Sequence, residues 1–263
     1  MDPDEVLALF DRQMRRDAPA EGPGGRVERV CGVVRQVGAG GDDWSGVVWS
    51  DLDRVTAGPA IAAQVRYFTS LGRSFEWKLY AHDRPDGLAA RLEAAGFTPE
   101  DEETLMVAEL GGLPAAVDLP AGVRLRPVND PADVDLVADV HEQAFGTSGA
   151  GLRKRLRAQL ERSPETVSMT VAMADGLPVC AARMELHPDT DFAGLWGGGT
   201  VAPWRGRGIY RALVAHRARI AADRGYRYLQ VDASSQSRPI LHRLGFVPLS
   251  TTTPYVYRPA RDQ

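Results

Sequence analysis

The sequence predicts an α/β fold in two tandem copies, each a mixed central sheet flanked by helices. Three observations predict it. In the C-terminal half, apolar periodicity switches in the order β-α-α-β-β-β-α-β-α-β, the pattern of a mixed sheet covered by helices. A Gly-, Pro- and Ala-rich stretch, LGGLPAAVDLPAG from Leu110 to Gly122, separates two halves. A single offset of 149 residues carries Asp83–Phe97 onto Asp232–Phe246 and Cys31 onto Cys180, each cysteine following a valine. That echo predicts an internal duplication. The expected domains are therefore 1–112, a linker at 113–121, and 122–263.

The elements follow in order. The chain opens with MDPDEVLALFDRQMRRD, an amphipathic helix with an acidic start. Past the linker, Val123–Pro127 alternates like a strand, and helices are expected at Pro131–Phe145 and Gly151–Arg162. TVSMTVAM and PVCAARMEL flank Asp175-Gly176, a hairpin signal. The strand AGLWGGGTV leads into a helix from Gly208 to Arg224, with Ile209, Leu213, Val214 and Ile220 on one face and Gly225 as its stop. YRYLQVDA is the next strand and SRPILHRL a short helix, and a last strand pair is expected near TPYVYRP.

Composition narrows the function. Apolar content of 44% and charged content of 25% are ordinary for a globular protein, and a net charge of −4 argues against general nucleic-acid binding. The first residues lack the basic start and apolar core of a signal peptide, and no apolar run is long enough to span a bilayer. With only two cysteines, Cys31 and Cys180, the expected location is the reducing cytoplasm. The five histidines are scattered, so no metal is expected. Oligomeric state is left open, a homodimer included.

The chemistry gathers in TVAPWRGRGIYRALV, Thr200–Val214. The first N–H groups of a helix lack intrahelical partners, and the helix dipole adds about half a positive charge there. Glycines let an anion approach the backbone, and arginines add charge-assisted donors. Strand, Pro203, Arg205-Gly206-Arg207-Gly208, helix is thus a phosphate cradle. It is not a Walker loop, which ends in Gly-Lys-Ser/Thr, nor a dinucleotide fingerprint, since Arg211 stands at the third glycine. A glycine-rich turn with solvated arginines is the plain alternative. At the 149 offset, Arg205–Tyr210 falls on Thr56–Ile61, where both arginines are absent and Pro59 replaces the second glycine. The N-terminal copy is expected to have lost the anion site.

VAPWRGRGIYRALV, then a strand, then SRPILHRLGF resembles the GNAT superfamily of N-acetyltransferases. Its acyl-CoA signature is Arg/Gln-x-x-Gly-x-Gly/Ala after a strand, with a later short helix ending in Leu-Gly-Phe. Arg205 and Gly208 match; Tyr210 departs from the final Gly/Ala. The resemblance implies acetyl-CoA as co-substrate, held by Thr200, Val201, Arg205, Gly206, Arg207, Gly208, Ile209, Tyr210, Arg211 and Ser234. It implies that Gly197-Gly198-Gly199 splays the strand to admit the thioester. It also implies direct attack by a primary amine of a small molecule or peptide, received near Phe145 and the 146–151 loop. Glu185 is the candidate base, with a solvated strand-end glutamate as the competing reading, and His187 beside it a candidate relay. The family's acid, a tyrosine, falls on Leu241, so the acid is unassigned; His242, Tyr255 and Tyr257 are the remaining candidates. A catalytically silent acyl-CoA-binding sensor or scaffold is the alternative. An aminoacyl-tRNA-dependent transferase is a third reading, disfavoured by the CoA signature and the acidic balance.

Overall fold

In a computed structural model of the chain, residues 1–20, 22–41, 43–114 and 118–259 are described. Residues 115–117 of the expected linker lie outside them. The chain forms two compact units, each taken by itself below. One is Met1–Leu105 with Asp232–Ser235 and Pro248–Gln263; the other is Met106–Val231 with Gln236–Val247. These units differ from the expected division at 112 and 122, because the last strand of each comes from the opposite half of the chain.

The N-terminal unit begins with α1 (Pro3–Phe10), capped by Asp2 and running into a π-helical turn, Asp11–Arg16. Strands β1 (Arg26–Val30), β2 (Val33–Val37), β3 (Gly46–Ser50) and β4 (Phe75–Tyr80) follow, with α2 (Ala57–Ser70) between the last two. After α3 (Leu88–Ala94) come β5 (Thr98–Pro99) and β6 (Glu103–Glu109). The sheet order is β1-β2-β3-β4, with β3 and β4 parallel. Ala57, Ala60, Ile61 and Phe68 recur at helical spacing on α2 and bury against Val37, Val47, Phe75 and Trp77. Phe68 and Phe75 stack with ring centroids 4.2 Å apart.

The C-terminal unit contains β7 (Val123–Pro127), α4 (Val134–Phe145), α5 (Ala150–Arg162), β8 (Val167–Ala174), β9 (Leu177–Leu186), β10 (Phe192–Thr200), α6 (Ile209–Asp223), β11 (Tyr228–Ala233) and α7 (Arg238–Arg243). Its sheet runs β7-β8-β9-β10-β11-β6, so the final position is filled by a strand from before the linker. The chain's own last strand, β12 (Val247–Tyr257), instead pairs antiparallel with β4, Tyr255 opposite Trp77. It is one long strand rather than the expected strand pair. Core side chains come from α4 (Val134, Val137, Val140), α5 (Leu152, Leu156, Leu160) and α6 (Ile209, Leu213), packed on β8 and β9.

The duplication holds in topology, but not at one offset. The first hairpin turns through Cys31 and Gly32 at φ 53° and 76°; its counterpart turns through Asp175 and Gly176 at φ 50° and 80°. That pair is related by 144, so Cys31 corresponds to Asp175, and Cys180 lies inside β9. The N-cap of α2 is Thr56 and that of α6 is Gly208, an offset of 152. Only after the short helices does 149 return, at Gly96 and Gly245, both with positive φ. β9 has 10 residues where β2 has 5, so unequal strands and loops between the fixed points shift the register.

Candidate active site

The C-terminal unit offers a notch in its sheet. β10 pairs in parallel with β11 only at Phe192–Gly194 against Tyr228–Gln230. Beyond Gly194 the two strands part, while β10 continues to Thr200 against β9. The edge of β10 facing β11 therefore presents backbone groups to whatever enters between the strands. On the β9 side the register shifts between Trp196 and Gly199, and Gly197 takes φ +57°. This is the expected bulge, and each glycine in it has its own neighbour. A Cβ on Gly197 would lie 3.0 Å from Arg183 Nη1; on Gly198, 2.7 Å from the Tyr210 ring; on Gly199, 2.8 Å from the Phe145 ring.

The strand then runs into the arginine-glycine turn. The Val201 N–H donates to the Val179 carbonyl at 3.0 Å, and Ala202–Trp204 makes a 3₁₀ turn. Gly206 and Gly208 take φ +75° and +86°, values that strain other L-residues, and α6 starts at Ile209 with no side chain capping it. The N–H groups of Ile209, Tyr210 and Arg211 are thus the open start of a 15-residue helix. Arg207 lies over the Trp204 ring at 4.5 Å, and Arg211 Nη2 comes within 3.3 Å of where a Gly208 Cβ would stand. Arg205 turns back on the protein: Nε donates to the Thr200 carbonyl and Nη2 to the Ala144 carbonyl, both at 3.0 Å. It ties the end of β10 to the end of α4. Ser234 is exposed just past β11, in the segment that counts with the N-terminal unit.

The equivalent turn of the N-terminal unit is filled by its own carboxylate. Counting from the N-caps, Asp53 stands where Arg205 stands in the other copy. Its Oδ1 accepts from the Val55 N–H, the Thr56 N–H and the Thr56 hydroxyl at 2.7–2.8 Å. Those bonds hold its carboxyl below the usual carboxylate range. The carboxylate folds onto the turn just ahead of α2, where the other copy has the Arg205 guanidinium.

On the α4 face of the C-terminal sheet, polar side chains converge at the apex of the notch. Glu185 on β9 stands opposite Gly194, and Arg183 Nε donates to it at 3.3 Å. Gln230 Nε2 and Trp196 Nε1 each lie 2.8 Å from where a Gly194 Cβ would stand. Gln230 is 5% exposed, and among the described residues its Oε1 has no hydrogen-bond partner. His141, on α4, is held below its usual pKa by burial and then by Arg183 and Arg155. His187 is likewise lowered, chiefly by burial. A neutral imidazole at neutral pH follows for both.

Beneath the opposite face, Arg217 of α6 is 1% exposed; it donates to the Leu213 and Arg183 carbonyls at 3.1 and 2.9 Å. Among the described residues its Nη2 has no partner. Burial lowers its pKa, with Tyr210 and Cys180 as its electrostatic neighbours. Leu241 is fully buried, and His242 beside it is exposed. Tyr255 and Tyr257, candidate acids from sequence, pack into the N-terminal unit instead, Tyr257 against Phe75 and Phe97. Sequence reasoning missed Arg183, Gly194, Arg217 and Gln230. The one local signal was the i, i+2 spacing of Arg183 and Glu185, which puts both on one strand face.

A second buried polar cluster belongs to the N-terminal unit. Lys78 pairs with Asp232, and Trp44 Nε1 donates to Glu76 Oε2 at 2.8 Å. Glu103 is pushed up to about 7 by burial and then by the Asp232 charge. Elsewhere, a hollow of about 690 Å³ opens beside the C-terminal end of α6, lined by Glu109, Leu110, Tyr226 and Arg227. It contains none of the expected site residues.

The C-terminal unit is thus a mixed α/β sheet with a parted parallel pair that leads through a glycine turn into an uncapped helix. Solved structures specify it further. A GCN5-related N-acetyltransferase from Kribbella flavida matches with a TM-score of 0.70 at 19% identity, covering 98% of this chain and 95% of that one. A tandem GNAT protein from the clavulanic acid biosynthesis pathway matches at 0.62 and 15% identity, over 98% and 94%. A GCN5-related N-acetyltransferase from Sphaerobacter thermophilus matches at 0.63 and 19% identity, over 88% and 79%. The fold is that of the GCN5-related N-acetyltransferases, in tandem. No family model matches the chain. A homoserine kinase of Clavibacter michiganensis subsp. michiganensis is 33% identical over 127 residues, 47% of this chain. The match spans 36% of that kinase, so the chain covers about a third of its length.

Proposed function

We propose that this protein is an acyl-CoA-dependent N-acyltransferase that moves acetyl from acetyl-CoA to a primary amine of a small molecule or peptide. The observation that carries the reading is the parted β10–β11 pair running into the uncapped start of α6. The open N–H groups at Ile209–Arg211 and the glycine turn fit a pyrophosphate, with Arg207 and Arg211 as cationic flanks. The exposed edge of β10 fits an extended chain lying as an added strand. Acetyl-CoA supplies the activated acyl carbon. Glu185 takes the proton from the attacking amine, directly or through water. A backbone N–H at the bulge polarises the acyl carbonyl. Arg205 acts by fixing Thr200, and with it the end of the notch. No side chain in this set is assigned as the acid for the leaving thiolate.

The silent acyl-CoA-binding module is the second reading. Tyr210 lying over Gly198 and the apolar Leu241 favour it. The unpaired cysteines and the mild net charge fit action in the cytoplasm without nucleic acid. Calorimetry with acetyl-CoA, followed by thiol release over a panel of amines, tests both. Binding with turnover supports the transferase; binding without turnover from any amine supports the silent module. Absence of binding overturns both.

A further inference from the structure

The polar cluster over Gly194 carries a statement about the acceptor, which rests on the transferase reading. Gly194, between β9 and β11, has no side chain, and polar side chains take up the space above it. Gln230 and Trp196 reach over it from β11 and β10, and Glu185 stands opposite on β9. The buried Gln230 Oε1 has no donor among the described residues. A buried carbonyl oxygen without a donor is costly, and an N–H group from a ligand relieves it. Glu185, 18% exposed on its side chain, offers a carboxylate to the same nitrogen.

Arg183 adds the opposite charge one strand repeat away. It sits on the same face as Glu185, with Nη1 3.0 Å from the Cβ position of Gly197 in the bulge. Its bond to Glu185 uses Nε, and a guanidinium has five donors in a planar fork suited to carboxylate or phosphate oxygens. Along a strand, residues two apart on one face are separated by about 7 Å. A group that meets Glu185 and Gln230 at one end and Arg183 at the other has its two charges a few bonds apart.

We infer that the acceptor is a primary amine bearing an anionic group, its nitrogen held by Gln230 Oε1 and Glu185 and its anion by Arg183. Amino acids and aminoalkyl phosphates share this chemistry. In the transfer, the amine nitrogen bonds to the acyl carbon, the carbon–sulfur bond breaks, Glu185 takes the amine proton, and the thiolate takes one from solvent. Arg183 is then a specificity residue: it selects the acceptor without acting on the thioester.

The test uses the full chain, with an amino acid panel, 2-aminoethyl phosphate and n-butylamine as probes. Calorimetry of each probe in the presence of CoA is run beside thiol release from acetyl-CoA. At least one anionic class is expected to bind tenfold or more tightly than n-butylamine, and the better class names the source of the anion. Arg183→Gln is expected to raise Kd and KM for that class at least tenfold. The same change removes most of the preference for that class over n-butylamine, and Arg183→Lys restores part of it. Equal or tighter binding of n-butylamine overturns the inference, as does a preference that survives Arg183→Gln. Because the calorimetric arm does not need turnover, failure of the transferase reading shows separately, as absent acetyl-CoA binding or absent thiol release.

Discussion

The Tyr210 ring lies across Gly198, so close that a methyl group on the glycine would stand 2.7 Å from a ring carbon. Both residues depart from what a generic sheet and helix would carry, and each explains the other. A tyrosine at the second residue of α6 finds room because the facing strand residue has no side chain. Gly198→Ala should destabilise the protein by about 1–3 kcal/mol, the usual cost of overpacking. Adding Tyr210→Ala should remove most of that cost, which chemical denaturation of the four members of the double-mutant cycle measures. Additive effects would mean the ring is not what constrains Gly198.

Asp53 braces the turn ahead of α2 with its own carboxylate. Asp53→Ala should lower Tm at neutral pH, while acetyl-CoA affinity in the C-terminal unit stays unchanged. Because the folded pKa is depressed, the aspartate's contribution is present above the unfolded value of 3.8 and fades as pH falls through the folded one. Thermal melts of the two proteins should therefore converge in acid. A difference that persists below that range would assign the effect to something other than the carboxylate.

Glu103 shows the opposite sign. Its folded pKa of about 7 lies above the ordinary glutamate value of 4.5, through burial and then the Asp232 charge, with Lys78 opposing and Glu76 and Glu100 adding. The fold binds the proton more tightly than the unfolded chain does. Stability linked to this group is full below the unfolded value, declines as pH rises towards 7, and levels off above it. Melts of wild type and Glu103→Gln between pH 5 and 8 should show the wild type losing more Tm with rising pH. Parallel curves would contradict this.

The two thiols should differ in reactivity. Cys31 is exposed in a hairpin turn, whereas Cys180 is buried, bonded to the Thr200 hydroxyl at 3.0 Å, and pushed up to about 11 by burial. The thiolate is the reactive form. Titration with a thiol reagent should modify one group per native chain, and Cys31→Ser should abolish that reaction. The second group should appear only on unfolding.

Local features were legible from residues alone. Gly206 and Gly208 mark the turn because few other residues tolerate their dihedrals, and Gly197–Gly199 mark the bulge for the related reason of close approach. What depended on distant pairing was not legible. Nothing near Glu103–Glu109 or Val247–Tyr257 says which sheet each strand joins. Arg217 reads as a solvated helix charge until the sheet closes over it. Asp53 was hidden because the ungapped 149 offset set Thr56 opposite Arg205, three positions from its true counterpart. Tyr255 and Tyr257 looked available as acids only while the last strand was assigned to the C-terminal unit.

The exchange of final strands also bears on how the molecule is made. A ribosome delivers residues 1–105 early, yet β4 has no β12 beside it until the last strand emerges. The C-terminal unit, by contrast, takes β6 from chain that precedes it. Without β12 the N-terminal sheet ends at an unpaired β4 edge, the kind of edge that templates pairing with other chains.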